Sequence, residues 1–307
     1  MNYSSAIIKI EGNPMLVDER RGLFLGALGV LGFSLTLPMT RIAVLELDPV
    51  FVGLGRSLIA AALAAILLRW QRSPRPARRH LPGLLIVSLG VIVGFPLFSS
   101  LAMRHVPSAH AAVVVGLLPL ATALFAVLRA QEQPSRAFWI SAGIGSSGVV
   151  LFALAESGWV FRAADGLLIV AVLLCGLGYA EGGKLARELG GARVIAWALV
   201  LAAPFLVGPV IYVAFCHGLY ASPRAWAAFS YTGIVSMFLG FIAWYQGLAI
   251  GGVARVSQVQ LLQTFMTLVW SWLLLGEHLT LLTLGAAVVV VATVVVGRRT
   301  SISQRRN

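Results

Sequence analysis

The sequence predicts an all-α integral membrane protein with ten transmembrane helices, arranged as two inverted five-helix repeats. Three observations predict it. Hydrophobic residues make up 59% of the 307-residue chain and charged residues only 11%. Soluble domains carry about 25% charged residues, so this chain has too few to coat a water-facing surface. The apolar residues fall into ten runs that approach the roughly 20 residues needed to cross a bilayer as helix. The basic residues gather in the breaks between these runs, on one side when the runs are alternated.

The ten runs cover residues 22–40, 50–68, 84–103, 109–128, 138–155, 166–182, 194–213, 226–249, 255–275 and 280–296. With the N-terminus inside, the inside segments collect 18 of the 23 basic residues, five of them (Arg69, Arg72, Arg75, Arg78 and Arg79) in a single break. The positive-inside rule then puts both termini in the cytoplasm of a multi-pass protein of the cell membrane. The net charge of +12 is thereby a topology signal and not a nucleic-acid footprint, so nucleic acid is not expected as a partner. Residues 1–21 read as a cytoplasmic N-terminal segment, 156–165 as the loop connecting the halves 22–155 and 166–296, and 297–307 as a basic cytoplasmic tail. The first 21 residues have no long apolar core, so no cleavable signal peptide is expected, and Met15 is an alternative start.

The halves resemble each other. Leu101-Ala102 and Leu248-Ala249 each precede a short break, a long apolar run and a glutamate, Glu132 or Glu277. With five runs per half, an odd number, the second half is expected to sit inverted in the membrane. That arrangement marks secondary transporters, whose substrate site lies near the midplane between the halves.

The polar residues within the runs carry the candidate chemistry, and each has a plainer reading beside it. Arg41 and Arg56 flank the acidic turn Glu46-Leu47-Asp48-Pro49. Arg41 reads best as an arginine snorkelling to that turn at the mouth. For Arg56, two helical turns further in, orienting a substrate carboxylate and a structural role stand level. His110 is either a group titrating near neutral pH or an interfacial polar residue beside Arg104 and His105. Gln258, Gln260 and Gln263 put three amides on one apolar run. Such groups face a cavity or another helix, and the deeper Gln260 and Gln263 favour a substrate path. Phe95, Tyr179, Trp244 and Tyr245 are candidates for an aromatic cavity wall, with interfacial belts and ordinary packing as the alternative. Lys184 beside Glu181 reads as a salt-bridged helix end, and Glu132 and Glu277 as turn-stabilising acceptors. No carboxylate lies clearly at mid-run, so a carboxylate proton relay is not expected. "GIGSSG" at 143–148 formally matches a dinucleotide motif but lies inside a run, where small residues permit close helix packing. Cys175 and Cys216 suggest neither a disulfide framework nor a metal site, and no cofactor is expected.

One set of residues is more specific: Arg41 late in the first run, Arg56 in the second, Pro119 in the fourth, and the Gly-Glu ending of "LLLGEHLT" at 273–280. In these the chain resembles the drug/metabolite transporter superfamily, EamA type, from about residue 22 to 297. It departs from that pattern at Ala130-Gln131-Glu132, which lacks the glycine, and at Thr264, where proline is frequent. The resemblance implies transport of a small metabolite across the cell membrane, often export. With the arginines it points first to an amino acid or related compound, moved by alternating access. Uptake, an intramembrane enzyme and a non-transporting scaffold are the alternatives. No set of nucleophile and base, or of metal ligands, is spaced for the enzyme. The partners expected are a small-molecule substrate and membrane lipids, with no oligomeric state assigned.

Overall fold

The computed structural model describes residues 14–130, 136–156, 159, 162–251, 256 and 259–299. Their regular structure is helical throughout: α1 (Pro14–Ser34), α2 (Thr36–Val44), α3 (Pro49–Trp70), α4 (Leu81–Val87), α5 (Phe95–Met103), α6 (Ser108–Val115), α7 (Leu118–Ala130), α8 (Arg136–Glu156), α9 (Ala163–Leu189), α10 (Gly191–His217), α11 (Pro223–Tyr231), α12 (Phe241–Gly251), α13 (Leu261–Leu275) and α14 (Leu281–Arg299). A π-helical segment, Ser88–Gly94, joins α4 to α5, and a second, Thr232–Gly240, joins α11 to α12.

Several of these helices join end to end into longer rods. Seven described rods are long and apolar enough to cross a membrane: Arg20–Val44, Pro49–Trp70, Arg78–Met103, Ser108–Leu128, Ala163–Leu189, Gly191–His217 and Pro223–Ile250. The apolar stretches Gly143–Phe152, Leu261–Leu275 and Leu281–Thr293 are shorter. The expected ten transmembrane helices are therefore overturned, and the parity argument for an inverted second half falls with them. An apolar run is a composition, whereas a span is an uninterrupted rod. In the run 255–275, Gln260 sits in a turn, and the regular helix beyond it has 15 residues. At about 1.5 Å per residue it falls short of the roughly 30 Å hydrocarbon core.

The ends of the rods are set by local chemistry. Asp48 caps α3, accepting from the Val50 and Phe51 N–H groups at 2.7 and 3.2 Å, with Pro49 in the first turn. Gly190, at φ +83°, lets α9 turn directly into α10. Gly276, at φ +65°, takes the left-handed position that ends α13, its N–H donating to the Trp272 carbonyl at 3.0 Å. These are positions where a β-carbon is penalised.

Small residues let the rods approach. A β-carbon at Gly90 would stand 2.3 Å from the Leu174 carbonyl oxygen of α9, and one at Gly53 2.8 Å from the Pro96 carbonyl. In α8, one at Gly145 would meet Thr293 Oγ1 of α14 at 2.7 Å. "GIGSSG" thus serves helix packing. The helix α3 packs on α10 and α5, α1 on α12, and α9 on α7, α5 and the first π segment.

Cross-ties sort the connections onto two faces. Glu46 accepts from Ser222, Arg104 donates to the Val44 carbonyl, Arg224 to the Leu274 carbonyl, and Glu277 accepts from Ser108. The turns near 45–48, 104–107, 218–222 and 276–278 therefore share one face. His80 meets Glu188 on the opposite face at 3.1 Å, near the arginine-rich break. Removing the α3 cap should cost about 1 kcal/mol. We expect Asp48→Ala to lower the thermal unfolding temperature in detergent, and Asp48→Asn, which still accepts from both N–H groups, to stay near the native value.

Candidate functional site

Two of the helix interruptions line an internal cavity. One is at Gly116-Leu117, between α6 and α7, and the other is at Gln260, before α13. The cavity, about 10 Å³, is walled by Leu37, Ala112, Val115, Pro119, Gln263 and Thr264, together with Gly116 and Gln260 themselves. That is of the order of one water molecule. Irregular backbone at membrane depth is tolerated only inside protein or against a water-filled cavity. Gln260 is buried and its Nε2 has no hydrogen-bond partner. Gln258 lies outside the described residues.

Arg56 is 1% exposed. It sits about 10 Å along α3 from the Asp48 cap. Its Nη1 donates to Thr40 Oγ1 of α2 at 3.2 Å, while Nε and Nη2 are buried without a partner. Cys175 of α9 lies within its electrostatic reach. An arginine at a helix centre costs about 2.5–3.5 kcal/mol on insertion scales, and unspent donors add to that cost.

Tyr179 joins Phe33, Phe241, Trp244 and Tyr245 in one aromatic cluster. The Phe33–Phe241 ring centroids are 4.7 Å apart, Tyr179–Phe241 5.9 Å and Tyr179–Trp244 6.1 Å. Trp244 Nε1 and the Tyr245 hydroxyl are buried without partners. Of the sequence candidates, the structure brings Gln260 and Gln263 to the cavity and Tyr179 and Trp244 to this cluster. Phe95 is half-buried beside the first π segment and belongs to neither group.

The arginine at the mouth is tied differently from expectation. Arg41 donates to the Met103 carbonyl and lies within electrostatic reach of Glu277. The acidic turn is occupied elsewhere: Asp48 caps α3 and Glu46 holds Ser222. Glu277 accepts from the Ser108 and Ala109 N–H groups, both at 2.8 Å, and so closes the start of α6. Its counterpart Glu132 lies outside the described residues.

The EamA-like transporter family model matches this chain twice, over residues 20–154 and 162–297. The chain belongs to that family. It is 43% identical to the uncharacterized transporter YdeK of Bacillus subtilis (strain 168), over 89% of this chain and 96% of that protein. It is 23% identical to a probable terminal-alkyne amino-acid exporter of Streptantibioticus cattleyicolor (strain ATCC 35852 / DSM 46488 / JCM 4925 / NBRC 14057 / NRRL 8057), over 89% and 92% of the two chains. A solved crystal structure shares the fold at TM-score 0.58 and 21% identity, covering 91% of this chain and 96% of that one.

As an EamA-like protein the chain is a multi-span membrane transporter of small molecules, not an enzyme. In the two matched copies the π segments fall at nearly the same distance from the start, and so do the breaks at Gly116-Leu117 and Gln260.

Sequence reasoning missed Asp165, which it placed in the connecting loop. Asp165 stands in the first turn of α9, and its Oδ1 lies 2.6 Å from His110 Nε2, both side chains buried. An acid just ahead of an apolar run is a helix-start signal and would have found it. His110 accordingly engages Asp165 and is not among the residues walling the cavity. Glu181 is also buried, with its Oε1 against Gly83, while Lys184 is exposed.

The Glu46 tie is sensitive to pH. The Ser222 N–H and hydroxyl, donating at 2.6 and 2.7 Å, and then the Arg224 charge hold the Glu46 carboxyl below its ordinary value. A lowered folded value means the tie stabilises fully above the unfolded value, about 4.3, and fades as pH falls through the folded one. The difference in unfolding temperature between the native protein and Glu46→Gln should therefore be present at neutral pH and shrink under acid. A difference that does not change with pH would contradict this assignment.

Proposed function

We propose that the protein exports a small polar metabolite, an amino acid or related compound, across the cell membrane by alternating access. The single observation that carries this reading is Arg56, a buried guanidinium with Nε and Nη2 unspent. A planar fork of free donors suits a carboxylate, which accepts paired hydrogen bonds from it. Gln260 and Gln263 line the path beside broken helices, Tyr179 and Trp244 wall its far side, and Arg41 shapes its mouth. The exporter relative named above supports both the substrate class and the direction. Residues 22–155 and 166–296 act as the two copies whose relative movement opens the site to either face.

In this reading both termini are cytoplasmic, which the positive-inside rule supports through the arginine-rich break at 69–79, next to His80. Reporter fusions at Arg75 and Asn307 should both report cytoplasm, and a fusion at Tyr220 should report outside. A cytoplasmic Tyr220 would overturn this orientation.

Transport is tested by counterflow of a radiolabelled amino-acid panel in proteoliposomes at matched protein levels. Arg56→Ala should abolish most of the flux, a loss of about tenfold or more given that charged hydrogen bonds contribute about 1.5–3 kcal/mol. Arg56→Lys should retain part of it, since lysine keeps the charge but loses the fork. Unchanged flux in Arg56→Ala would remove Arg56 from the substrate site.

A further inference from the structure

We propose that the break between α3 and α4, together with Trp70, is a binding site for the headgroups of anionic phospholipids. The site concerns the lipid around the protein and does not rest on the export reading. Arg69, Arg72, Arg75, Arg78 and Arg79 are all exposed. Arg79 meets Glu188 at 3.9 Å and donates to His80 at 3.2 Å. The other four form no ion pair or side-chain hydrogen bond with any described residue. Ending the helix does not consume them either. The Gln71, Arg72 and Ser73 N–H groups donate to the Leu67, Arg69 and Leu68 carbonyls at 2.9, 3.1 and 3.0 Å, so the backbone closes α3 by itself. Arg72 stands at φ +47°, a left-handed position usually given to glycine. The chain presents a guanidinium there instead. Arg75 precedes Pro76, which keeps its backbone extended, so less order has to be imposed when a ligand binds.

The depth of this break selects lipid over a soluble anion. The helix α3 runs from the Asp48 cap on the opposite face to Trp70. Its 22 residues, at about 1.5 Å each, match the roughly 30 Å hydrocarbon core. Arg69 and Arg72 therefore emerge at headgroup level. Ile66 of α3, Leu85 of α4 and Leu89 of the first π segment are exposed, an apolar surface for acyl chains that adjoins the arginines. Trp70 is 81% exposed, and tryptophan favours the membrane–water interface. The exposed carboxylate facing the break is Glu188, which also meets the buried His80 at 3.1 Å. Glu181 on the same helix is buried against Gly83. Lys184 and Arg187 are exposed at that end of α9 and add to the positive field. The exposed Arg79–Glu188 pair is weak, so a phosphate can take up Arg79 as well. Basic clusters at the end of a membrane helix draw anionic lipid, each residue strengthening the attraction about fivefold. A guanidinium also holds phosphate oxygens through paired hydrogen bonds.

The test reads which lipid lies beside Trp70. The protein is placed in phosphatidylcholine bilayers with a fixed share of brominated phosphatidylglycerol or brominated phosphatidylcholine, the bromines near the headgroup end of the chains. The Trp70 fluorescence is the difference between the native protein and Trp70→Phe. We expect the association constant of phosphatidylglycerol to exceed that of phosphatidylcholine about fivefold or more, the contribution of one arginine. The preference should shrink as salt rises from about 0.05 to 0.5 M, because exposed charges are screened. Arg69→Gln/Arg72→Gln/Arg75→Gln/Arg78→Gln should remove the preference. Arg69→Lys/Arg72→Lys/Arg75→Lys/Arg78→Lys should keep part of it, since the charge stays and the fork is lost. Equal quenching by the two lipids, or a preference that survives the fourfold change to Gln, overturns the site. Inorganic phosphate should leave the preference as chloride does at equal ionic strength. Phosphate that abolishes it would make this a site for a free anion and overturn the lipid assignment. If the fourfold variant does not insert, Arg69→Gln/Arg72→Gln and Arg75→Gln/Arg78→Gln decide. Each should lose part of the preference, and no loss in either overturns the site.

Discussion

Hydrocarbon offers no partner to a backbone N–H or carbonyl, so a membrane-embedded chain must repair every break in its helices from within. Most of this architecture follows from that constraint. The first rod breaks at Leu35, and the repair comes from two other rods. Thr267 Oγ1 of α13 donates to the Ser34 carbonyl at 2.7 Å, and the Trp270 indole N–H to Ser34 Oγ at 3.1 Å. Thr36 shares a 2.6 Å hydrogen bond with Ser236 in the second π segment. One broken turn thus fixes the relative positions of the first rod, α13 and the α11–α12 rod. Ser108 and Ser271 make the corresponding connection between α6 and α13 at 2.6 Å. Hydroxyls placed at breaks, more than bulk hydrophobicity, decide which rods meet at the centre.

The same constraint explains why Arg56 is costly and informative. A surface arginine can satisfy its donors with water, and the Arg104 and Arg224 guanidiniums find main-chain carbonyls. Arg56 has one hydroxyl, Thr40, for a guanidinium with five N–H groups. Placing small residues around it would have been easy, since Gly53 and Gly55 on its own helix already admit close neighbours. A group left with unspent donors in a dry interior is expected where the chain's business requires it, not where packing alone is served.

The membrane class and family were legible in the sequence because they rest on composition and on residue types that one helix displays by itself. Arg41, Arg56 and the Gly276-Glu277 ending are of that kind. The number of rods able to cross was not legible, because hydropathy averages over a window and does not see an interruption such as Gln260. The Arg41 ties were also misread. Sequence proximity suggested the turn at Glu46 and Asp48, but a residue late in one rod meets the ends of its spatial neighbours, here Met103 and Glu277. Asp165 was hidden for a related reason. A lone acid before an apolar run looks like loop, and its partner His110 lies 55 residues away. The contacts that matter are between helices, and one sequence without its relatives records only what lies along each helix.

The contacts that hold the rods together fall into two groups, hydrogen-bonded ties on one face and ring contacts deeper in. On one face the ties are hydrogen bonds from Arg41 and Arg104 to carbonyls, and from Ser108, Ala109 and Ser222 to carboxylates. Each is worth about 0.5–1.5 kcal/mol net, or somewhat more where a charge takes part. Deeper in, Phe33, Tyr179, Phe241, Trp244 and Tyr245 hold together by ring contacts, each worth about 0.5–1.5 kcal/mol beyond its buried area. Neither end is locked by a disulfide: among the described residues Cys175 and Cys216 are free. In the alternating access proposed above, two sets of contacts of a few kcal/mol each would be traded against one another by a ligand that favours one arrangement. A ligand shifts such an equilibrium only by its differential affinity for the two states. In the described interior Arg56 is the cation with donors left unspent, so a bound acceptor there carries the largest differential affinity available to that proposed movement.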